Sequence, residues 1–231
     1  MQKKYELLLE VLGKLSKAGV LVETIIIGSW CMHFYKELFS EINYHPTIRT
    51  RDIDLLVPLP LKTKRKIDVA ALLEADGFIV IHNRNGFLRL EHPDLIVEFL
   101  VPERGKGSNQ PYPLPAFGMN AQPLRFLDYL AKNCIDVVSD GLKVRVPAPA
   151  AFGLHKLIVS ARRKTEVKRI KEKREALTVL NAMIEEGMKG AILDAYSAML
   201  PSWQKKVTAA LDPQEDDPIF TLLNKEAHKL K

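Results

Sequence analysis

Cysteine is scarce in this chain: only Cys31 and Cys134 occur, far apart and each beside apolar residues. Two isolated thiols build neither a disulfide framework nor a cysteine metal site, so both read as small buried hydrophobes. A reducing, cytoplasmic location is the expectation that follows. The six histidines (His33, His45, His82, His92, His155 and His228) are scattered without the close pairs of a zinc-binding helix. No stretch approaches the run of about 18 apolar residues that spans a bilayer, so no membrane partner is expected. The opening MQKKYELLLEVLGKL lacks the uninterrupted apolar core and cleavage site of a signal peptide. There is no internal repeat and no low-complexity tract.

The 231 residues, 47% of them hydrophobic, permit two domains with cores of their own. The net charge of +6 favours anionic partners such as nucleotides or RNA. That charge is unevenly placed: RRKTEVKRIKEKR, residues 162–174, holds eight basic residues against two glutamates. It reads either as the solvated face of a long helix or as a basic surface toward a phosphate-rich ligand.

Hydrophobic periodicity divides the chain near residue 147. Tyr5, Leu8, Leu12 and Leu15 recur at helical spacing up to Gly19. Residues 25–27 form a short buried strand, and Ser29 is placed to cap a helix carrying Trp30, Phe34 and Leu38. Residues 52–57 form the second strand and 64–75 a helix. Three further strands are expected at 78–82, 87–90 and 95–101. The proline- and glycine-rich stretch 102–123 reads as a long surface loop. A short helix at 124–132 precedes strands at 135–138 and 142–146, joined by the Ser139-Asp140-Gly141 turn. Thereafter helices are predicted at 149–163, 166–187, 189–199, 201–211 and 218–229, with Pro149 in the first turn of the first. Residues 1–146 therefore form a mixed α/β domain and residues 147–231 a helical one.

Chemistry concentrates in residues 25–57. An apolar strand ends at Gly28-Ser29, and a second begins with Asp52-Ile53-Asp54. Alternation along a strand points both aspartates to one side and Ile53 to the other. Carboxylates so placed repel each other and lose hydration unless a cation lies between them. Oxygen-only ligands suit magnesium, which commonly accompanies nucleotide phosphate. The glycine and terminal glutamate of a calcium loop are missing.

With a later acid, Glu98 in LIVEFL, the order becomes strand, Gly-Ser, helix, Asp-x-Asp strand, helix and acid-bearing strand. It resembles the nucleotidyltransferase superfamily, which includes DNA polymerase β, CCA-adding enzymes and nucleotidyltransferase toxins. The resemblance covers residues 20–101 and extends to PAPAAFGLHKLIVSARR. It implies an α+β fold, with a nucleotidyltransferase-type mixed sheet and flanking helices followed by an α-helical C-terminal domain. It also implies an enzyme that moves a nucleoside monophosphate from an NTP to a hydroxyl of tRNA, protein or a small molecule. Asp52, Asp54 and Glu98 would hold Mg2+ (or Mn2+), and Glu98 would accept the hydroxyl proton. Gly28 and Ser29 would approach the triphosphate, which Lys156 would neutralise; Arg49 and Arg51 are less specific phosphate candidates. Glu98 stands where aspartate is commoner, with Asp94 as a second candidate, and the 22-residue spacer from Ser29 to Asp52 is long. Erosion of the acids would leave a nucleotide- or RNA-binding module on the same fold.

Overall fold

Leu8, Val11, Leu12 and Leu15 are fully buried along one stripe of the first helix, α1 (Gln2–Lys17). Gly19 ends it in the left-handed region (φ +82°), with the Gly19 N–H donating to the Ser16 carbonyl and the Val20 N–H to that of Leu15. This paired closure satisfies carbonyls that the helix end would otherwise orphan. The computed structural model describes residues 2–48, 50–103, 105, 107 and 110–229. Two compact units result, one from residues 1–34 and 48–147, the other from residues 35–47 and 148–231.

The first unit is built on a mixed sheet. Its strands are β1 (Ile25–Ile27), β2 (Asp52–Leu56), β3 (Ile79–His82), β4 (Leu88–Glu91) and β5 (Ile96–Pro102), in the order β1-β2-β5-β4-β3. The β2–β5 pair is parallel, while β1 with β2, β4 with β5 and β3 with β4 are antiparallel. Ile53, Leu55, Leu90, Val97 and Phe99 alternate onto one face and are buried. Helices α2 (Cys31–Phe34), α3 (Val69–Glu74) and α4 (Leu127–Lys132) also belong to this unit, as does a hairpin of β8 (Cys134–Ser139) and β9 (Leu142–Pro147). Asp140 (φ +50°) and Gly141 (φ +74°) turn the hairpin, as their sequence suggests.

Three local expectations differ from the structure. The helix predicted over 64–75 begins only at Val69, because Asp68 caps it, accepting from the Ala71 N–H at 3.0 Å. Just upstream, the Ile67 N–H donates to the Ala116 carbonyl (2.8 Å), which draws the lysine-rich approach out of the helix. The stretch 102–123 is not a loop throughout: β6 (Tyr112–Leu114) and β7 (Met119–Leu124) lie within it, and β7 runs parallel to the end of β5. Prolines hide such strands from a sequence reading because they are tolerated where no ladder donor is needed. Ser29 lies inside a 3-10 turn, Gly28–Trp30, rather than at a cap, and the helix expected through Trp30, Phe34 and Leu38 covers only Cys31–Phe34.

The second unit is helical, as expected. It contains α5 (Pro149–Ser160), α6 (Glu166–Glu185), α7 (Lys189–Ser197), α8 (Pro201–Ala209) and α9 (Asp217–Lys229). Pro149 and Pro201 occupy first-turn positions of their helices. Every residue of α5 except Val159 is buried. Tyr35 packs edge-on against Phe152 at 5.6 Å between ring centroids, and Phe39 and Tyr44 extend that cluster. Between α5 and α6 lies a buried ionic knot. Lys156 Nζ is ion-paired with Glu172 and, at 2.8 Å, with Glu175, while Arg163 also engages Glu172. Burial alone would lower the Lys156 pKa, but the two carboxylates outweigh it and hold the ammonium charged.

Removing one member of a buried ion pair strands its partners, at a cost of about 3–5 kcal/mol. Urea unfolding of Lys156→Met should show a loss of that order, and adding Glu172→Gln and Glu175→Gln should restore most of it. His155, beside the knot, is held neutral chiefly by burial, with its pKa pushed down to about 3. Its folded pKa lies below the unfolded value of 6.5, so the unfolded chain takes up a proton that the folded one refuses. Stability should therefore fall as pH drops from 6.5 toward 3, by up to about 1.4 kcal/mol per pH unit from this group. A His155→Leu variant should lose that component of the pH–stability curve.

Candidate active site

The face of the sheet opposite the buried one carries the acids. Strand register puts Ile27 across from Asp54, Asp54 across from Glu98, and Glu98 across from Arg89. In-register neighbours project to the same side, so Asp54, Glu98 and Arg89 form one polar rung over β2, β5 and β4. The adjacent rung is Asp52, Ile96 and Glu91. Asp52 and Asp54 thus share a face, as alternation predicted.

Gly28 follows Ile27 directly, at φ +75°. A Cβ built there would collide with Asp54 Oδ2 and lie 3.5 Å from Asp54 Cγ. Glycine is therefore required twice, by the left-handed backbone and by the Asp54 carboxylate beside it. The turn is held at its next residues too, where Cys31 Sγ donates to the Ile26 carbonyl.

Electrostatics records the crowding of acids. Burial, and then the charge of Asp52, push the Glu98 pKa up; Arg89 partly offsets them. Asp52 is steadied by Thr50, whose hydroxyl donates to its carboxylate and accepts its backbone N–H, both at 3.1 Å. Lys4 on α1 feels the same field: burial and then Arg51 lower its pKa, while Asp52 and Asp94 raise it. Among the described residues, no three His, Cys, Asp or Glu side chains converge as a ready-made metal cage. The donor chemistry nevertheless suits a hard divalent cation: carboxylate oxygens share one face, and burial together with the charge of Asp52 has raised the proton affinity of Glu98.

Other candidates are placed as follows. Asp94 lies in the turn before β5, its N–H donating to His92 Nδ1 at 3.1 Å. Arg51 donates to the Pro93 carbonyl (2.6 Å) and lies 4.0 Å from Glu91. Arg49 lies outside the described residues. Ser29 is buried in the turn after β1. Lys156 belongs to the helical unit and its carboxylate knot.

Sequence reading passed over Thr50 and Arg89. Thr50 was detectable as a hydroxyl two residues before an aspartate, a local turn pattern. Arg89 becomes visible only once the β4–β5 register is known. Also unforeseen is a bridge in the same unit: Tyr5 donates to Asp140, and Tyr5 Oη lies 2.7 Å from His33 Nε2.

A mixed sheet with a glycine turn packed on Asp-x-Asp and a third acid one strand over defines a nucleotidyl-transferring class of protein. A family model described as Nucleotidyltransferase matches residues 6–200, and the chain belongs to that family. It is accordingly an enzyme, a nucleotidyltransferase. No curated protein matches the chain significantly. Among solved structures it is similar to ANT(2")-Ia in complex with adenylyl-2"-tobramycin, at 17% identity over 85% of this chain and 99% of that one, with a TM-score of 0.47. The solution structure of the antibiotic-resistance factor ANT(2'')-Ia is also similar (17% identity; 82% and 92% covered; TM-score 0.42). So is an antigenic nucleotidyltransferase-like protein from Paracoccidioides brasiliensis (14% identity; 82% and 91% covered; TM-score 0.37). The family assignment rests on the family model, not on these distant likenesses. No helix among the described residues is long and apolar enough to cross a membrane.

Gly28→Ala should cost roughly 1–2 kcal/mol in backbone strain and, by displacing Asp54, about a hundredfold in turnover. The glycine-to-alanine loss of kcat, measured beside a thermal melt, separates the two effects. Glu98 has a folded pKa above its unfolded one, so its contribution to stability is present below the unfolded pKa of 4.5 and is lost as pH rises through the folded value. Glu98→Gln should accordingly raise the melting temperature of the cation-free protein at neutral pH while removing activity.

Proposed function

We propose that the protein transfers a nucleoside monophosphate from a nucleoside triphosphate to an acceptor hydroxyl, with Mg2+ (or Mn2+) as cofactor. The observation that carries this reading is the single rung of Asp54 and Glu98, closed at one end by Gly28 and flanked by Asp52. In the reaction the acceptor oxygen bonds to the α-phosphorus, the bond from that phosphorus to the bridging oxygen breaks, and pyrophosphate leaves. Asp52 and Asp54 would hold the cation, with Glu98 completing the set. When bound, the cation supplies charge neutralisation at the phosphates and lowers the pKa of an oxygen it polarises.

The protein's own groups divide the remaining work. Gly28 leaves room for backbone and phosphate to approach, and the N–H groups of the turn after it offer donors to phosphate oxygens. Thr50 keeps the Asp52 carboxylate in one orientation. Glu98, its proton affinity raised by burial and by Asp52, accepts the proton of the acceptor hydroxyl. Arg89, across the rung, partly offsets that rise. Lys156 serves the helical unit as the cation neutralising Glu172 and Glu175.

The test incubates the protein with Mg2+ and each α-labelled nucleoside triphosphate, adding total RNA, cell lysate or nothing, beside Asp52→Asn and Asp54→Asn. Label should move to an acceptor only with the wild type, with pyrophosphate released in equal amount. Turnover in either variant at the wild-type rate refutes the assignment of the acids. Nucleotide binding that persists in chelator, without pyrophosphate, would instead mark a non-catalytic nucleotide-binding module.

A further inference from the structure

Residues 162–174 hold eight basic residues against two glutamates, a net charge equal to the +6 of the whole chain. The structure shows how that charge is displayed. Residues 161–170, covering the α5–α6 turn and the start of α6, are all exposed. The buried side of α6 is formed by Glu172, Glu175, Ala176, Val179, Leu180 and Met183. Helical periodicity turns Val167, Ile170 and Arg174 to the opposite side, and Val167 and Ile170 are 79% and 54% exposed.

Part of the charge is spent within the fold. Arg163 engages Glu172, Arg169 engages Glu166, Lys171 lies 3.7 Å from Glu175, and Lys173 reaches Asp216 at 2.6 Å. Lys164, Lys168 and Arg174 make no ion pair among the described residues. Lys164 lies in the turn, Lys168 in the first turn of α6 and Arg174 about 9 Å of helical rise further on, so the unpaired cations are spread over a length that several phosphates of a strand would span.

We propose that this exposed start of α6, with the turn before it, is a docking surface for the phosphate backbone of a single nucleic-acid strand. Three features favour that partner. The unpaired cations are spread along the segment rather than gathered at one point, as a polyanion requires. The segment has no aromatic side chain to stack on bases and no Asn or Gln to read them, so contact is to phosphate and independent of sequence. A membrane-surface helix needs a broad apolar face, and here only Val167 and Ile170 offer one. The surface is independent of the reaction proposed above and does not require the strand to be the acceptor.

The experiment measures fluorescence anisotropy of a short labelled single-stranded RNA of mixed sequence, and of DNA of that sequence, with the full chain over a range of salt and without nucleotide. Both strands should bind, with affinity falling steeply as salt rises. The triple variant Lys164→Gln, Lys168→Gln, Arg174→Gln should bind about tenfold more weakly, and its log–log salt slope should flatten by about 2, at about 0.7 per lost contact. These side chains are exposed, so the melting temperature should not change. Lys164→Arg with Lys168→Arg should retain wild-type binding. A second triple, Lys62→Gln, Lys64→Gln and Lys66→Gln, removes equal charge elsewhere and should leave binding close to wild type. An unaltered affinity in the first triple, an equal loss in the second, or binding to phosphatidylserine vesicles and not to either strand would overturn the proposal. Because no turnover is read, its failure leaves the transferase reading untouched.

Discussion

Everything in the α/β unit depends on the parallel register of β2 with β5. That register sets Asp54 opposite Glu98 with Asp52 one rung away, and strands in a sheet are only about 4.8 Å apart. Acids held so close resist ionising together, and the Glu98 pKa, pushed up by burial and then by the charge of Asp52, records it. The sheet holds them together because its other face outweighs the repulsion. Ile53, Leu55, Leu90, Val97 and Phe99 are buried there, each contributing about 1.5–3 kcal/mol. A one-residue slip would exchange the faces, exposing the apolar set and burying the acids. The core thus fixes the positions of groups that would otherwise move apart.

The same division of labour explains what was legible in the sequence. Asp52-Ile53-Asp54 announced its geometry because alternation alone decides it. The five C-terminal helices were equally plain, since apolar spacing and Pro149 and Pro201 mark their positions. Less visible were features set by distant partners. The short α3 owes its start to Asp68 and to the Ala116 carbonyl, nearly fifty residues on, and β7 owes its existence to the edge of β5. Arg89 was hidden for a related reason: its place beside Glu98 is a matter of register, which no local pattern prints. Lys156 had a local pattern but not a local answer, because the glutamates that neutralise it lie on the next helix.

The helical unit solves its electrostatic problem differently. Instead of setting like charges side by side, it buries a cation among carboxylates. Burial disfavours both Lys156 and Glu172 as ions, yet each is held charged by the other: the Glu172 pKa is lowered by Lys156 and Arg163 despite its desolvation. Such a knot adds little net stability over a well-packed apolar core, but it ties α6 to α5 and to the turn that follows α5. Gly153 reinforces that arrangement, since a Cβ there would run into Leu180.

The contact between Gly28 and Asp54 carries an implication for inheritance. A side chain at position 28 requires the Asp54 carboxylate to move aside. The two positions are therefore coupled, since a change at one alters what the other can carry. Lineages descending from this chain should change the two positions together, a side chain at position 28 arriving with a different residue at position 54.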